Sequence, residues 1–278
     1  DLDKFIASVQ GELGYGVESL FAAYKRDGVA VSIEYDNEGR LKAAGLRPRD
    51  GIHGEDVTEN IKMVKGVPTE LWIHDKDGKR VKRLKAPLVI RGELECFISV
   101  FEERNKKYGG KYANPRNYTA GSIRQFKDPS ITGERRISFV AYRILNYPDA
   151  PYKTEVDKAK WCNRVLRVPF VRTEKFDRTK LQQMEDYIPE LDYEVDGVVI
   201  GVNNLEDSDQ MGTHGNSPTG NPKGKLAWKF TEQEAQTTIL RYTFTPGRTG
   251  RLTPVMEIDP VQLDGTTVSR VTGHSLGF

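Results

Sequence analysis

The chain has 278 residues, of which 37% are hydrophobic and 29% charged, a composition typical of a soluble globular protein that excludes wholesale disorder. Its 42 basic and 40 acidic residues leave a formal net charge of +2, so any nucleic-acid-binding surface must be local. Two cysteines, Cys96 and Cys162, exclude a disulfide framework and a zinc cluster and favour a reducing compartment. Because no apolar run reaches membrane-spanning length and the first residues lack a signal-peptide pattern, we expect a cytoplasmic protein without a membrane partner.

The first part of the chain predicts paired strands. Apolar residues alternate in VAVSIEY and DNEG can turn the chain, so residues 29–47 predict a hairpin. Residues 55–64 predict a short helix, and residues 71–95 predict three strands, the first two joined by an Asp-Gly turn. Ser99 and Glu102 have the spacing of a capping box and predict the start of a helix.

The middle of the chain mixes helices and strands. Residues 135–145 predict a strand, and residues 153–168 and 177–188 predict amphipathic helices. YEVDGVVIGV and KLAWKF predict buried strands, whereas the polar, Gly- and Pro-rich stretch between them predicts a mobile surface loop.

From residue 236 onward, short β-type runs alternate with turn residues, as in a small barrel. We therefore divide the chain into domains of residues 1–235 and 236–278. The second has room for about three strands where a five-stranded barrel is needed, and an open barrel leaves unpaired edges. This predicts a fragment of a longer protein or a partner that completes the barrel.

Lys25 is the first candidate for chemistry, because it precedes Asp27-Gly28 at the head of a strand. A lysine amine attacks only when deprotonated, and its ordinary pKa is about 10.4, so it needs a partly desolvated cleft with other cations. Asp27 would orient the amine or accept its proton, and Gly28 would let a ligand approach the backbone. The K-x-D-G pattern alone is more often an ordinary lysine before a tight turn.

Two further strands carry charged pairs. Arg91 and Glu93 lie two apart on one face of a strand, which suits a ribose or a metal-bound phosphate. Glu194 and Asp196 stand in an otherwise apolar strand, where carboxylates are costly unless they are paired or bound to metal.

Lys225 and Lys229 lie four apart, on one face of a strand, and would face a polyanion together. Any one of these pairs is more often a structural salt bridge at a strand end. Their order and spacing together favour a nucleotide site.

With these motifs, nearly the whole chain resembles the nucleotidyltransferase domain of NAD-dependent DNA ligases. YKRDGVAVSIEY is similar to the family's K-x-D-G motif and following strand, and IRGELE to its R-G-E motif. DGIHGEDVTENI and YANPRNYTAGSIRQFKDP are similar to two longer signatures, and ISFVAY, YEVDGVVIGV and LAWKF to the later motifs. GRTGRLTPV and IDPVQLDGTTVSRVT resemble the opening of the OB domain. The resemblance implies an α+β fold of antiparallel sheets with flanking helices, followed by a partial OB-type β-barrel.

The resemblance also implies a mechanism. Lys25 would attack the α-phosphate of NAD, hold AMP, and pass it to the 5′-phosphate of nicked double-stranded DNA before the phosphodiester bond forms. The implied catalytic residues are Lys25, Asp27, Glu93 and Lys229, with Mg2+ held at Glu93 and Glu194. The residues expected to bind the donor are Tyr24, Gly28, Arg47, Arg91, Asp196, Lys225 and Trp228. Those expected to contact nucleic acid are Arg116, Arg124, Arg248 and Arg251.

The sequence departs from the family pattern at several of these positions. Ala23 replaces a glutamate that reads the adenine amino group, Gly201 replaces a lysine that contacts a phosphate, and Gly224 replaces a tryptophan. An expected arginine is displaced in LRPRDG, where Arg47 or Arg49 would take its place, and Lys223 or Lys225 would compensate in part for the lost lysine. These changes predict less efficient lysine adenylation without changing the fold.

Two other functions remain open from the sequence. One is a relative that joins RNA or uses ATP, and the other is a catalytically weak module of this fold that binds nicked DNA. The expected segment that grips nicotinamide mononucleotide and the further ligase modules are not in the sequence, and we expect them on a separate chain or in a longer protein. We therefore expect poor nick sealing by these 278 residues alone, and a bacterial or viral origin.

Overall fold

The computed structural model describes residues 2–47, 54–147, 149–216, 221–229, 235–246, 252–263 and 266–273. The chain divides into two compact units, Asp1–Phe230 and Thr231–Phe278. No helix in the described ranges is long and apolar enough to cross a membrane.

The first unit is built from strands with helices between them. Its strands are β1 (Leu20–Arg26), β2 (Val29–Tyr35), β3 (Leu41–Leu46), β4 (Trp72–His74), β5 (Arg80–Arg83), β6 (Leu88–Glu95), β7 (Ser138–Leu145), β8 (Thr173–Lys175), β9 (Val195–Val202) and β10 (Lys225–Trp228). Its helices are α1 (Leu2–Leu13), α2 (Thr58–Ile61), α3 (Ile98–Lys107), α4 (Pro115–Ile123), α5 (Ser130–Glu134), α6 (Glu155–Trp161), α7 (Arg178–Asp186) and α8 (Leu205–Gln210).

Two antiparallel four-stranded sheets organise this unit. The first has the strand order β10-β9-β1-β8, and the second has the order β3-β2-β6-β7. Strands β4 and β5 form a separate hairpin. The predicted hairpin over residues 29–47 and the three strands over residues 71–95 are therefore confirmed, as is the antiparallel α+β class.

The two faces of the first sheet have different environments. Leu20 and Ala22 of β1 pack with Ile6 and Val9 of α1 in one buried cluster. Their neighbour Phe21 belongs to the second, larger cluster. Side chains alternate between the faces of a strand, so the Phe21 face also carries Ala23 and Lys25. Strand β1 is apolar on both faces because helices cover one and the rest of the unit covers the other.

The second sheet contributes most of the larger core. Ile33 of β2 and Ile90 of β6 lie directly opposite each other and are fully buried, together with Tyr118 and Ile123 of α4. Burying an aliphatic side chain of this size contributes about 1.5 to 3 kcal/mol. This core fixes β6 and α4, the two elements that later supply Glu93 and Arg116.

The structure corrects the predicted start of α3. Its N-cap residue is Phe97, which makes no side-chain cap hydrogen bond. The Ser99 amide and hydroxyl both donate to the carboxylate of Asp192, at 2.8 and 2.7 Å. A carboxylate from a distant segment therefore caps the helix, and the predicted capping box of Ser99 and Glu102 is wrong.

Two further predictions near residue 204 change. The expected loop contains α8, whose first amides donate to the Asn204 side chain, a standard N-cap. The strand expected to be buried, β10, is an edge strand with an exposed Ala227. Lys229 lies one residue beyond its end, so Lys225 and Lys229 do not share this strand.

The second unit contains β11 (Ile239–Pro246), β12 (Leu252–Leu263) and β13 (Thr266–Thr272), antiparallel in that order. The described residues therefore form three strands, as expected, and they do not close a barrel. The predicted nucleic-acid residues Arg248 and Arg251 lie outside the described residues, as does Arg49.

Candidate functional site

A bulge at the end of β1 sets the position of Lys25. Lys25 pairs with Gly197 of β9, but Arg26 pairs with Val195, so the register shifts between them. The Arg26 guanidinium lies 3.0 Å from the centre of the Tyr193 ring and 3.5 Å from the Glu95 carboxylate. Bulges redirect side chains and are frequent at functional sites. Here the bulge and the Arg26 contacts fix the backbone of Lys25 and Arg26, directly before Asp27.

Lys25 lies neither in bulk water nor in the core. Its Nζ donates to both carboxylate oxygens of Asp196, at 2.6 and 2.7 Å. The side chains of Lys25 and Asp196 are 36% and 30% exposed. A bidentate contact of this kind holds the amine in one place, while solvent and ligands can still reach it.

Glu93 is a further acidic residue near Lys25. It pairs with Ala30 of β2 and Val140 of β7, and burial raises its pKa to about 8. The Lys25 ammonium acts against this rise, and the Asp27 carboxylate adds to it. The Glu93 carboxyl is therefore mostly protonated at neutral pH when no cation is bound.

Arg116 of α4 connects a helix to the same region. Its guanidinium lies 2.7 Å from the Asp27 carboxylate. Burial raises the pKa of Asp27, and Arg116 opposes that rise. The residues Lys25, Asp27, Glu93, Arg116 and Asp196 are called the Lys25 corner below.

Two glycines allow the strands to meet at the Lys25 corner. A Cβ at Gly28 would clash with the carbonyl oxygen of Leu94, which explains Gly28 by packing without a ligand. Gly197 has a φ of 148°, and a Cβ there would lie 3.0 Å from the Cα of Lys229. The exposed Lys229 therefore begins beside Gly197 and the neighbouring Asp196.

Two residues that were expected to bind the nucleotide donor lie on the face of the first sheet that packs against α1. Tyr24 and Trp228 both pair with Val198 and pack against the α1 cluster. The Tyr24 hydroxyl donates to the carbonyl oxygen of Met184 at 2.9 Å. The face of the first sheet that carries Phe21, Ala23 and Lys25 is called the Lys25 face below. Because opposite residues of adjacent strands share a face, the rings of Tyr24 and Trp228 lie on the other side, and neither can stack on a base held on the Lys25 face. The structure corrects this part of the prediction.

An aromatic residue that sequence reasoning missed, Tyr142, lies beside Glu93. The β6–β7 register shifts between Arg91 and Gly92, and Tyr142 is the extra residue of the resulting bulge. The residue is 37% exposed. Burial and the Glu93 charge raise its pKa, and the guanidinium groups of Arg91 and Arg47 oppose the rise. The sequence signal that could have identified Tyr142 is an aromatic residue at the end of the apolar run SFVA, directly before the charged Arg143.

A second group of charges lies at the other end of the Lys25 face. Lys225 of β10 stands opposite Gly201 of β9, and its Nζ lies 2.8 Å from Oε1 of Glu155. The Nζ of Lys158 lies 2.5 Å from Oε2 of the same carboxylate. Burial would raise the pKa of Glu155, but the two ammonium groups hold it below its ordinary value. These three residues are called the Glu155 cluster.

The remaining predicted residues have separate locations. Arg124 follows α4 and makes a bidentate contact with Glu55, with its shortest distance at 2.6 Å. Glu194 precedes β9, and its backbone carbonyl oxygen accepts a hydrogen bond from the Asp27 amide at 3.0 Å. Burial raises the pKa of Cys96, and the Glu194 charge adds to that rise. The charges of Lys25, Asp27, Arg116 and Asp196 lie close enough to Glu93 to shift its pKa. Within the described residues, no group of three or more His, Cys, Asp or Glu side chains is arranged to hold a metal ion.

Two family models together match most of the chain. Residues 1–233 match the NAD-dependent DNA ligase adenylation domain, and residues 236–277 match the NAD-dependent DNA ligase OB-fold domain. A DNA ligase from Alkalilimnicola ehrlichii is 37% identical over 99% of this chain and 40% of its own length. One from Clostridioides difficile is 32% identical over 99% of this chain and 39% of its own length. The chain spans about two fifths of the length of these relatives.

Among solved structures, a mycobacterial DNA ligase D complexed with ATP and MES is 14% identical, with a TM-score of 0.43. The match covers 91% of this chain and 66% of that one.

Proposed function

Because the chain belongs to the NAD-dependent DNA ligase family, as its adenylation domain followed by OB-fold residues, we propose that Lys25 forms a covalent bond to AMP taken from NAD. The observation that carries this proposal is the bidentate contact of the Lys25 amine with Asp196, at 2.6 and 2.7 Å, inside a corner of opposite charges. An ordinary surface lysine has no such fixed position.

The proposed step has a simple balance of bonds. The Lys25 Nζ forms a bond to the α-phosphorus of NAD, and the bond from that phosphorus to the bridging oxygen breaks. Nicotinamide mononucleotide leaves with the electron pair. Nζ must lose one proton before it attacks and a second as the P–N bond forms. Asp196 is positioned to receive the first, and the phosphate of the departing nicotinamide mononucleotide can take up the second. Lys229 would face the phosphate charge that develops, since such reactions depend mainly on positioning and charge neutralisation.

The rest of the donor would lie along the Lys25 face. The Glu93 carboxyl can hydrogen-bond to a ribose hydroxyl, as a donor while it is protonated and as an acceptor once a cation is bound beside it. The exposed Tyr142 ring beside it offers a stacking surface for the base. Arg91, whose buried Nε has no hydrogen-bond partner among the described residues, and Arg47 would meet a second phosphate.

The carboxylate oxygens at Glu93 also suit Mg2+. Magnesium is commonly held by one or two carboxylates together with substrate phosphates, so a dedicated three-residue cluster is not needed. Glu93 and Asp27 supply oxygen atoms only, and a cation beside them would return Glu93 to its charged form. Bound there, the ion would supply charge neutralisation at the phosphate. Glu194 as a second ligand remains a prediction.

In the complete protein we propose that AMP passes to the 5′-phosphate of nicked double-stranded DNA. Arg116 and Arg124 are held by Asp27 and Glu55 in the free protein. Phosphates of the nick would compete for the same guanidinium groups. Arg248 and Arg251 remain predicted DNA contacts, and the other ligase domains would be supplied by the rest of the protein or by a separate chain. The buried free cysteines Cys96 and Cys162 support a reducing, cytoplasmic setting.

Intact-mass spectrometry tests the proposal. The purified chain, incubated with NAD and Mg2+, should gain the mass of one AMP, and ATP in place of NAD should give no gain. Lys25→Arg should abolish the gain, because a guanidinium keeps its proton and is a poor nucleophile. The control Lys62→Arg changes an exposed lysine paired with Glu59 and should label like the wild type. An AMP adduct that survives Lys25→Arg would contradict the proposal, and labelling by ATP alone would reassign the donor.

A further inference from the structure

The β4–β5 hairpin carries positive charge that the Lys25 corner does not use. Residues 76–85 contain six basic residues and one acidic residue. Two of the six are paired, Arg83 with Glu70 and Lys85 with Glu38 at 2.8 Å. The other four are exposed and make no ion pair among the described residues: Lys76, Lys79, Arg80 and Lys82. Most of the charge of this hairpin can therefore meet an anion from outside the chain.

A neighbouring segment extends the same charge. Residues Cys162–Leu166 pack against β4, where Nδ1 of His74 lies 3.1 Å from the carbonyl oxygen of Val165. This contact brings two exposed arginines, Arg164 and Arg167, to the hairpin, and neither makes an ion pair within the part of the chain that the structure describes. The six unpaired cations are called the hairpin surface below: Lys76, Lys79, Arg80, Lys82, Arg164 and Arg167.

Gly78 joins the hairpin turn to Arg167. Gly78 has a φ of 81°, and a Cβ there would lie 2.8 Å from Cζ of Arg167. The guanidinium thus occupies the space that a side chain at the turn would fill. Arg167 itself has a φ of 55°, a conformation that a non-glycine residue keeps only where its surroundings hold it. The fold therefore specifies the place of this guanidinium beside the hairpin lysines.

The hairpin surface lies within reach of DNA bound at the Lys25 corner. The Leu84 amide donates to the carbonyl oxygen of Leu71 at 2.9 Å, which fixes the base of the hairpin shortly before β6 begins at Leu88. Glu93 follows Leu88 by five residues on the same strand, a distance of roughly 17 Å between Cα atoms. Duplex DNA covers this length in about five base pairs. The flank of a nicked duplex can therefore extend to the hairpin.

The chemistry of the hairpin surface favours phosphates as its ligands. A membrane-binding surface needs an apolar face that enters the lipid, and the only large apolar residue exposed on the described hairpin is Val81. Lysine and arginine side chains on an exposed hairpin contact phosphate oxygens whatever the base sequence. A duplex offers such oxygens at regular spacing, so several of the six cations can bind at once.

We propose that the hairpin surface binds the phosphate backbone of duplex DNA about five base pairs from the nick. This inference rests on the proposed function, because that function places the nick at the Lys25 corner. The contact supplies affinity without reading bases, and it does not sense the nick itself. Since each phosphate contact releases condensed cations, the contribution of the hairpin surface depends strongly on salt.

Fluorescence anisotropy tests the proposal by titrating the full chain into a labelled nicked duplex of about 30 base pairs. Lys79→Gln/Lys82→Gln should weaken binding by about tenfold at about 0.1 M salt, and should make the slope of log affinity against log salt shallower by about 2. An intact duplex of the same sequence should lose the same factor, because the contact lies away from the nick.

The matched control is Lys4→Gln/Lys175→Gln, which removes two exposed lysines on α1 and β8. It changes the net charge of the chain equally and should leave the affinity and the salt slope near those of the wild type. Lys76→Gln/Arg164→Gln is a second test in case the first variant folds poorly, since both residues lie outside the strands of the hairpin. It should weaken binding in the same way.

Three results would overturn the proposal. They are a wild type that does not bind the duplex, hairpin variants that lose no more affinity than the control, and an unchanged salt slope. Vesicles of anionic lipid provide a further comparison. If the hairpin variants lose binding to vesicles and keep their affinity for DNA, the surface belongs to a membrane and the proposal is wrong.

This proposal and the lysine chemistry fail in different ways. Lys79→Gln/Lys82→Gln should gain AMP from NAD as fast as the wild type, because neither lysine lies at the Lys25 corner. A chain that shows the expected loss of DNA affinity but gains no AMP keeps the DNA contact and loses the proposed chemistry. A chain that is adenylated at Lys25 but binds DNA equally well without these lysines keeps the chemistry and loses the contact.

Discussion

The two ends of the Lys25 face carry the same chemical groups in different solvent environments. At the Lys25 corner, Lys25 and Asp196 are 36% and 30% exposed. In the Glu155 cluster, Lys158 and Glu155 are 4% and 5% exposed. A partly exposed ion pair can exchange partners at little cost in free energy. A buried ion pair leaves an uncompensated charge in the protein interior when it is broken. Exposure therefore separates a lysine available for chemistry from one that is structural.

The strongest test of this comparison is Glu155→Gln. The substitution keeps the shape of the side chain but leaves two ammonium groups without their carboxylate. Breaking a buried pair costs about 3 to 5 kcal/mol, and we expect a loss of this order in the free energy of unfolding, measured by urea titration. Glu59→Gln, at the exposed pair with Lys62, is the control and should change the free energy by less than about 0.5 kcal/mol. A loss at Glu155 no larger than that of the control would refute the structural role of the cluster.

An intermediate effect is expected at Glu93 as the pH changes. Burial raises its pKa from 4.5 to about 8, so the folded state retains a proton that the unfolded state releases. Stability from this group is therefore fully present below about pH 4.5 and is lost as the pH rises toward 8.

Glu93→Gln keeps a neutral side chain at every pH and should remove this dependence. Between about pH 5 and 8, the wild type should lose on the order of 2 kcal/mol of unfolding free energy relative to the variant, after allowance for solvent screening. Urea titrations of both proteins at each pH provide the measurement. Parallel pH profiles for the two proteins would show that Glu93 is not buried as described.

The smallest stability effect is expected for Asp196→Asn, the matched counterpart of Glu155→Gln at the exposed end. Removing a half-exposed carboxylate should change the free energy of unfolding by no more than about 1 kcal/mol. The same variant should slow formation of the lysyl-AMP adduct, because it loses the group that receives the Lys25 proton. A cost comparable to that of Glu155→Gln would show that the two ends do not differ.

Local patterns in the sequence predicted the strands well. The alternation in residues 29–35 and the turn at residues 36–40 determine a hairpin whatever surrounds it, and β2 and β3 have those positions. The motif residues Lys25, Asp27, Glu93 and Asp196 are also brought together at one corner. These four residues come together because each lies within two residues of the end of a strand.

Predictions failed where a distant segment supplied the partner. The start of α3 depends on Asp192, which is 93 residues away from Ser99. Tyr24 and Trp228 were expected to contact a nucleotide, yet strand alternation and the α1 cluster direct them to the opposite face. Tyr142 was missed because it is the extra residue of a bulge that is set by pairing with β6, close enough to Glu93 for that charge to raise its pKa further after burial.

The sequence by itself determined the family, the strands and the nucleophile candidate, because these depend on residue types at short separations along the chain. Only the tertiary structure decided which lysines are exposed, which face each aromatic ring occupies, and that Lys225 lies opposite Gly201 and against Glu155. Burial, strand register and ion pairing join residues that are remote in sequence, and the free energy of a charge depends on those surroundings more than on its neighbours in the chain.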